Sequence, residues 1–120
     1  MPSTIRAAVC RAFGQPLVIE TLQLRDPGPG EVEVAVEAVA ICHSDISFIE
    51  GAWGGALPAV YGHEAAGRAT GLGAGVDHLR LGDRVLVTLI RACGTRPSCA
   101  GGKPVYCAGN EAPAPQLTAA

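Results

Sequence analysis

Cys42 and His63 stand 21 positions apart in this sequence of 120 residues. Thiolate sulfur and imidazole nitrogen are both good zinc ligands. A cysteine and a histidine at such a separation are more often unrelated than joined on one metal, so the pairing rests on the neighbours each keeps. Asp45 follows Cys42 by three residues, and Glu64 adjoins His63. A ligating histidine usually donates its other ring hydrogen to a carboxylate, which suits Asp45 to orient the imidazole. A second group of thiols, Cys93, Cys99 and Cys107, falls in a stretch broken by glycine and proline. That stretch reads as an irregular loop lobe. The remaining thiol, Cys10, lies in an apolar strand and reads as a small buried hydrophobe.

The elements that position these residues are mostly short strands. An apolar run from Thr4 to Phe13 is broken by Gly14-Gln15-Pro16, and a second run, Leu17 to Leu24, alternates like a half-buried strand. Asp26-Pro27-Gly28-Pro29-Gly30 is a strong turn signal. Glu31 to Ala40 then alternates valine or alanine with glutamate, predicting a strand polar on one face that ends just before Cys42. A short helical turn is expected from Ser44 to Ile49, capped by the Ser44 hydroxyl or the Asp45 carboxylate. Residues 60–76 are glycine-punctuated, Leu81 to Arg84 reads as a turn, and Val85 to Ile90 as a buried strand. Residues 108–120, alanine- and proline-rich without periodicity, are expected to be a disordered tail.

Composition narrows the function classes. Hydrophobic residues make 48% of the chain and charged residues 17%, the balance of one soluble domain with enough apolar material for a core. Sixteen glycines and nine prolines against 4% aromatics favour tight turns over long helices. Nine basic and eleven acidic residues give a net charge near −2 without blocks, which argues against nucleic acid or an anionic membrane as partner. Neither a secretion signal nor a membrane span is evident, so a cytoplasmic location is expected, with the five cysteines serving as thiols or ligands rather than disulfides. Gly71-Leu72-Gly73-Ala74-Gly75 is no dinucleotide fingerprint, because Val76 takes the place of the third glycine.

Taken together, Ile41-Cys42-His43-Ser44-Asp45 and Gly62-His63-Glu64-Ala65-Ala66-Gly67 resemble the catalytic-zinc region of zinc-dependent alcohol dehydrogenases of the medium-chain type. That family's zinc signature runs GHE, two residues, Gly, five residues, Gly, two residues, then a small aliphatic. Gly67, Gly73 and Val76 fall on those positions, and Pro58 and Leu81-Gly82-Asp83-Arg84-Val85 fit the family's wording. The resemblance implies a mostly β fold with short helices, a GroES-like, partly open β-barrel incomplete at its C-terminal end. It spans residues 1–107, with 91–107 as a cysteine-containing structural lobe.

The resemblance also assigns roles. Cys42 and His63 would hold catalytic zinc, with Glu64 nearby as an occasional ligand. Ser44 would pass the alcohol proton outward, Asp45 would orient His63, and His43 would meet the cofactor pyrophosphate. From the residues alone Ser44 is equally a helix cap, and His43 and His78 would be exposed. Trp53 and Phe48 would either touch a substrate pocket or pack the helical region. The family's structural lobe places four cysteines at positions that here hold Cys93, Arg96, Cys99 and Cys107. A guanidinium cannot be a ligand, so this lobe is expected to be empty of zinc or to hold it weakly.

The function so implied is the N-terminal catalytic portion of an enzyme interconverting a small alcohol with its aldehyde or ketone. NAD or NADP would act through a domain absent from these residues, so the chain alone is expected to be inactive, and the full-length protein to be a homo-oligomer. The rival reading is a truncated, non-catalytic zinc-binding or interaction module. A zinc-free quinone-reductase relative is disfavoured by Cys42, His63 and Glu64.

Overall fold

Alternating apolar residues near the N-terminus pair into a hairpin. A computed structural model describes residues 2–89 and 92–108 in full and residues 117–119 by their backbone. Strand β1 (Ser3–Val9) runs antiparallel to β2 (Val18–Leu24), in unbroken register from Ser3 opposite Leu24 to Val9 opposite Val18. Between them Gly14 takes φ +70°, a left-handed conformation that glycine adopts without steric penalty. β1 stops short of the expected Phe13 because Cys10 turns aside to exchange backbone hydrogen bonds with Ala59.

The second sheet carries the site. It contains β3 (Val32–Val39), β4 (Ala65–Leu72) and β5 (Arg84–Val87), with β4 in the middle and both pairings antiparallel. Helix α1 (His43–Glu50) follows β3 directly and ends at Gly51, whose φ of +82° closes the last turn. The short helix α2 (Pro97–Ala100) and a single 3-10 turn (Pro104–Tyr106) follow β5. The two sheets do not join into a closed barrel, in keeping with the mostly β, partly open architecture expected. Among the described residues no helix is long and apolar enough to cross a membrane.

β4 was not expected as a strand, and its composition explains why. Glycine and alanine have poor strand propensity, yet here they permit close approach of neighbouring backbone. A Cβ on Gly67 would lie 2.2 Å from the Ala35 carbonyl oxygen across the β3–β4 pair. Beyond the strand, a Cβ on Gly73 would lie 1.8 Å from the carbonyl oxygen of Gly28. Gly73 N–H donates to the Glu31 carbonyl at 2.8 Å and Gly30 N–H to that of Ala74 at 2.8 Å, so the 26–30 turn is pinned to the end of β4. The glycines of 71–75 thus serve strand and turn packing, and the chain passes from them through turns into β5 rather than directly into a helix.

Several expectations need correction. The buried apolar side chains among the described residues are only Val9, Cys10, Leu22, Ala69 and Cys107. β5 is an edge strand rather than a buried one, with Leu86 79% exposed, because among the described residues no second layer packs on its side chains. The expected end of that strand at Ile90 lies outside the described residues. On β3 Val36 and Val39 are also more than half exposed, since no second layer among the described residues covers them. The 93–107 stretch, expected to lack regular structure, forms α2 because Pro97 at its first turn presets a helical φ. Leu117–Ala119 forms a third strand, β6, along the free edge of β2, where unpaired backbone groups accept it. Of the expected disordered tail, residues 109–116 and 120 lie outside the described residues.

These contacts predict a contrast between glycines. Gly73→Ala should destabilise the chain by about 1–3 kcal/mol, because the new methyl has rigid backbone in its place. Gly28→Ala should change little, since its methyl would meet the movable ends of Glu31 and Arg25. Urea unfolding midpoints of the two variants check this; equal shifts would contradict it.

Candidate functional site

The helix start and the β4 entrance come together through one carboxylate. Cys42 is the N-cap of α1, in extended conformation after β3, and Asp45 is the third helical residue. At that spacing the Asp45 side chain folds back, and its Oδ2 accepts the Cys42 backbone N–H at 3.0 Å. Of the two expected capping groups, then, the carboxylate serves and the Ser44 hydroxyl does not. Asp45 is 7% exposed and is the buried charged residue among those described.

The other oxygen of the same carboxylate, Oδ1, lies 3.1 Å from His63 Nδ1. A carboxylate oxygen there suits a ring N–H as its donor, the arrangement in which Nδ1 carries the hydrogen and the Nε2 lone pair points away from Asp45. Ser44 Oγ is 3.4 Å from Nε2, and Glu64 Oε1 is 3.8 Å from it. Cys42 Sγ, a ring nitrogen of His63 and a carboxylate oxygen of Glu64 lie within 4.8 Å of one another. Sulfur, nitrogen and oxygen ligands about 2.0–2.3 Å from a tetrahedral zinc stand roughly 3.3–3.8 Å apart, so these donors fit the ion after a small closure.

Aromatic packing fixes the segment leading to His63. Phe48 on α1 meets Trp53 edge-on with ring centroids 4.8 Å apart, and stacks on Tyr61 at 5.3 Å. Burial, and secondarily Cys10, raises the Tyr61 phenol above its ordinary pKa. Gly62, at φ +137°, turns the chain between the packed Tyr61 and His63. Phe48 and Trp53 thus pack the helical region, and Tyr61 is the supporting residue that sequence reasoning missed. Its signal was an aromatic two positions before the histidine. Beside the site a groove of about 540 Å³ is lined by His63, Glu64, Ala38, Val39 and Leu86 among others.

Other sequence candidates lie apart from this arrangement. His43, the first residue of α1, is exposed, as is His78. Cys10 is buried. Cys93, Cys99 and Cys107 form a separate cluster, their sulfurs within 4.8 Å of one another. Cys93 Sγ accepts the Arg96 backbone N–H at 3.3 Å, the Thr95 hydroxyl at 3.6 Å and the Cys107 thiol at 3.6 Å. The Thr95 hydroxyl foremost, then the backbone N–H groups of Arg96 and Thr95, lower the Cys93 pKa to about 6. Burial, the largest influence on Cys99, pushes its thiol up.

Comparison with known proteins gives one consistent answer. The family model for the alcohol dehydrogenase GroES-like domain matches residues 28–118. An alcohol dehydrogenase of Moraxella sp. (strain TAE123) is 42% identical over 106 residues, covering 86% of this chain and 31% of that protein. An NDMA-dependent alcohol dehydrogenase of Amycolatopsis methanolica is 39% identical over 102 residues, covering 85% and 28%. Among solved structures, an alcohol dehydrogenase zinc-binding domain protein from Burkholderia ambifaria superposes with a TM-score of 0.84 at 41% identity, over 91% of this chain and 29% of that one. Benzyl alcohol dehydrogenase from Acinetobacter calcoaceticus gives 0.81 at 34% identity, over 89% and 29%. The chain spans about a third of the length of the curated relatives it matches.

The geometry predicts a graded loss of zinc affinity. With Cys93, Cys99 and Cys107 changed to serine to remove the second cluster, Cys42→Ser and His63→Ala should each abolish tight binding. Asp45→Ala, which leaves both donors in place but unheld, should weaken it about 10- to 100-fold. Competition against a chromophoric zinc chelator measures all three; equal affinity in every variant would place the metal elsewhere.

Proposed function

The chain belongs to the alcohol dehydrogenase GroES-like domain family, and on that premise we propose that it carries the metal- and proton-handling part of a zinc-dependent alcohol dehydrogenase. The reaction is the interconversion of a small alcohol with its aldehyde or ketone, with NAD or NADP as hydride acceptor or donor. The observation that supports this reading most is the Asp45 carboxylate, which engages the Cys42 backbone and His63 Nδ1 at once. It leaves Cys42 Sγ, His63 Nε2 and Glu64 converging beside Ser44 Oγ.

Cys42 Sγ and His63 Nε2 would hold the zinc, with Glu64 within reach as a third donor. The chemistry zinc supplies when bound is Lewis acidity, which lowers the pKa of an alcohol so that hydride can leave its carbon. Ser44 would do the proton work: its hydroxyl accepts the alcohol proton on one lone pair while its own hydrogen passes to water. Asp45 keeps the imidazole in the tautomer that presents Nε2. His43, exposed at the start of α1, is available to the phosphates of a dinucleotide. The groove lined by Val39, Leu86 and His63 offers an apolar wall for the substrate carbon chain. Hydride transfer further needs a bound nicotinamide, and the chain spans about a third of the length of its curated relatives.

Two measurements test this reading. The zinc-loaded 120-residue chain should reduce neither NAD nor NADP with any alcohol. A chimera in which the 42%-identical Moraxella relative supplies the remaining sequence should turn over, and Ser44→Ala in that chimera should lower kcat about 100- to 10,000-fold with little change in KM. Turnover by the isolated chain, or a chimera indifferent to Ser44→Ala, would contradict it.

A further inference from the structure

The thiol lobe after β5 does not fit the tetrahedral zinc that the family resemblance implies for it. Cys93 Sγ stands 4.0 Å from Cys99 Sγ and 3.6 Å from Cys107 Sγ, and all three sulfurs lie within 4.8 Å of one another. A closed zinc site needs a fourth ligand, and no histidine, aspartate or glutamate joins these sulfurs among the described residues. Arg96 stands where the fourth cysteine would be. Its backbone N–H donates to Cys93 Sγ at 3.3 Å, and its guanidinium has no lone pair to offer a metal.

We propose that Cys93, Cys99 and Cys107 form a three-sulfur site for copper(I). Copper(I) is a soft ion that thiolates select, and with a single positive charge it is satisfied by a trigonal set of three thiolates, whereas doubly charged zinc draws a fourth donor. With metal–sulfur bonds of about 2.3 Å, a trigonal ion spaces its sulfurs about 4.0 Å apart, within the spread these three already show. Binding places three thiolates on the ion, the thiols that still carry protons giving them to water, and it transfers no electron, so no oxidant or reductant enters. The resulting complex carries two negative charges. The Arg96 N–H and the Thr95 hydroxyl, already directed at Cys93 Sγ, lie where they would stabilise that charge, and the Arg96 cation is close by in the chain.

The backbone holds the triangle ready. Cys99 sits on α2, and Cys107 follows the 3-10 turn. Lys103 N–H donates to the Ser98 carbonyl at 2.8 Å, joining the two pieces, and Cys107 N–H donates to that of Pro104 at 3.1 Å. Cys107 is buried, Cys99 half-buried and Cys93 exposed, so the ion enters from the Cys93 side. Zinc on the same three sulfurs would keep an open position for water, a weaker and more exchangeable arrangement than a closed site.

The test uses the 120-residue chain carrying Cys42→Ser, so that only the lobe binds, under anaerobic conditions. Copper(I) buffered by a chromophoric chelator should load to one ion per chain, with X-ray absorption showing three sulfur neighbours, and an equal concentration of zinc should not displace it. Cys93→Ser, at an exposed position, and Cys99→Ser should each weaken copper(I) binding about 100-fold or more. Arg96→Cys should raise zinc affinity by a similar factor while leaving copper(I) binding nearly unchanged. Native zinc affinity equal to that of Arg96→Cys, copper(I) binding indifferent to both serine variants, or two sulfur neighbours instead of three would overturn the proposal.

Discussion

Asp45 has one carboxylate and two obligations, and the site's geometry follows from its meeting both. Its Oδ2 takes the backbone N–H of Cys42, and its Oδ1 faces His63 Nδ1. The first contact fixes where helix α1 begins, and hence where the Cys42 sulfur stands relative to the end of β3. The second brings in a residue 18 positions later in the sequence and determines which ring nitrogen it presents. A carboxylate buried to this degree carries a desolvation cost that only well-placed hydrogen bonds offset. Moving either segment would therefore leave a charge in the interior without its partner.

Around that contact the scaffold is economical. The helix is fastened at its far end, where Gly14 N–H donates to the Ile49 carbonyl at 2.9 Å and a Cβ on Gly51 would collide with Phe13. Phe48 and Tyr61 tie the same helix to the segment that delivers His63. The 26–30 turn and the end of β4 are pinned together where Gly28 and Gly73 meet. Much of the second sheet remains uncovered, with Val36, Val39 and Leu86 exposed next to the groove that reaches His63. The fold thus devotes its tightest contacts to positioning a few polar side chains, while its apolar sheet face stays open.

The site was more legible in the sequence than the strands around it. Asp45 three residues after Cys42 is the spacing at which a carboxylate returns to a helix N-cap, so one pattern marks both the helix start and the histidine's partner. β3 was equally legible as a strand, although two register shifts against β4, at Glu33/Val34 and Val36/Ala38, interrupt its alternation. β4 was hidden because Gly67 and its alanine neighbours answer to a carbonyl oxygen across the sheet, a constraint that no local pattern records. Val85 to Ile90 misled in the opposite direction: an apolar run suits a buried strand, yet Leu86 and Val87 of β5 stand exposed because no second layer among the described residues covers them. α2 escaped notice because four residues are too few to show a helical period. In the same lobe the sequence announced the thiols, whereas their convergence depended on turns that only the folded chain displays.

The site works as described only if Asp45 holds His63 with Nδ1 protonated and Nε2 open toward Cys42 and Ser44. Nitrogen-15 NMR of the His63 ring reads this directly. In the native chain the ring should be held as the Nδ1–H tautomer, and added zinc should move the Nε2 resonance while Nδ1 keeps its hydrogen. Asp45→Ala should release the ring into a mixture of tautomers. A native ring already in such a mixture, or a zinc-dependent shift at Nδ1 in place of Nε2, would contradict the account.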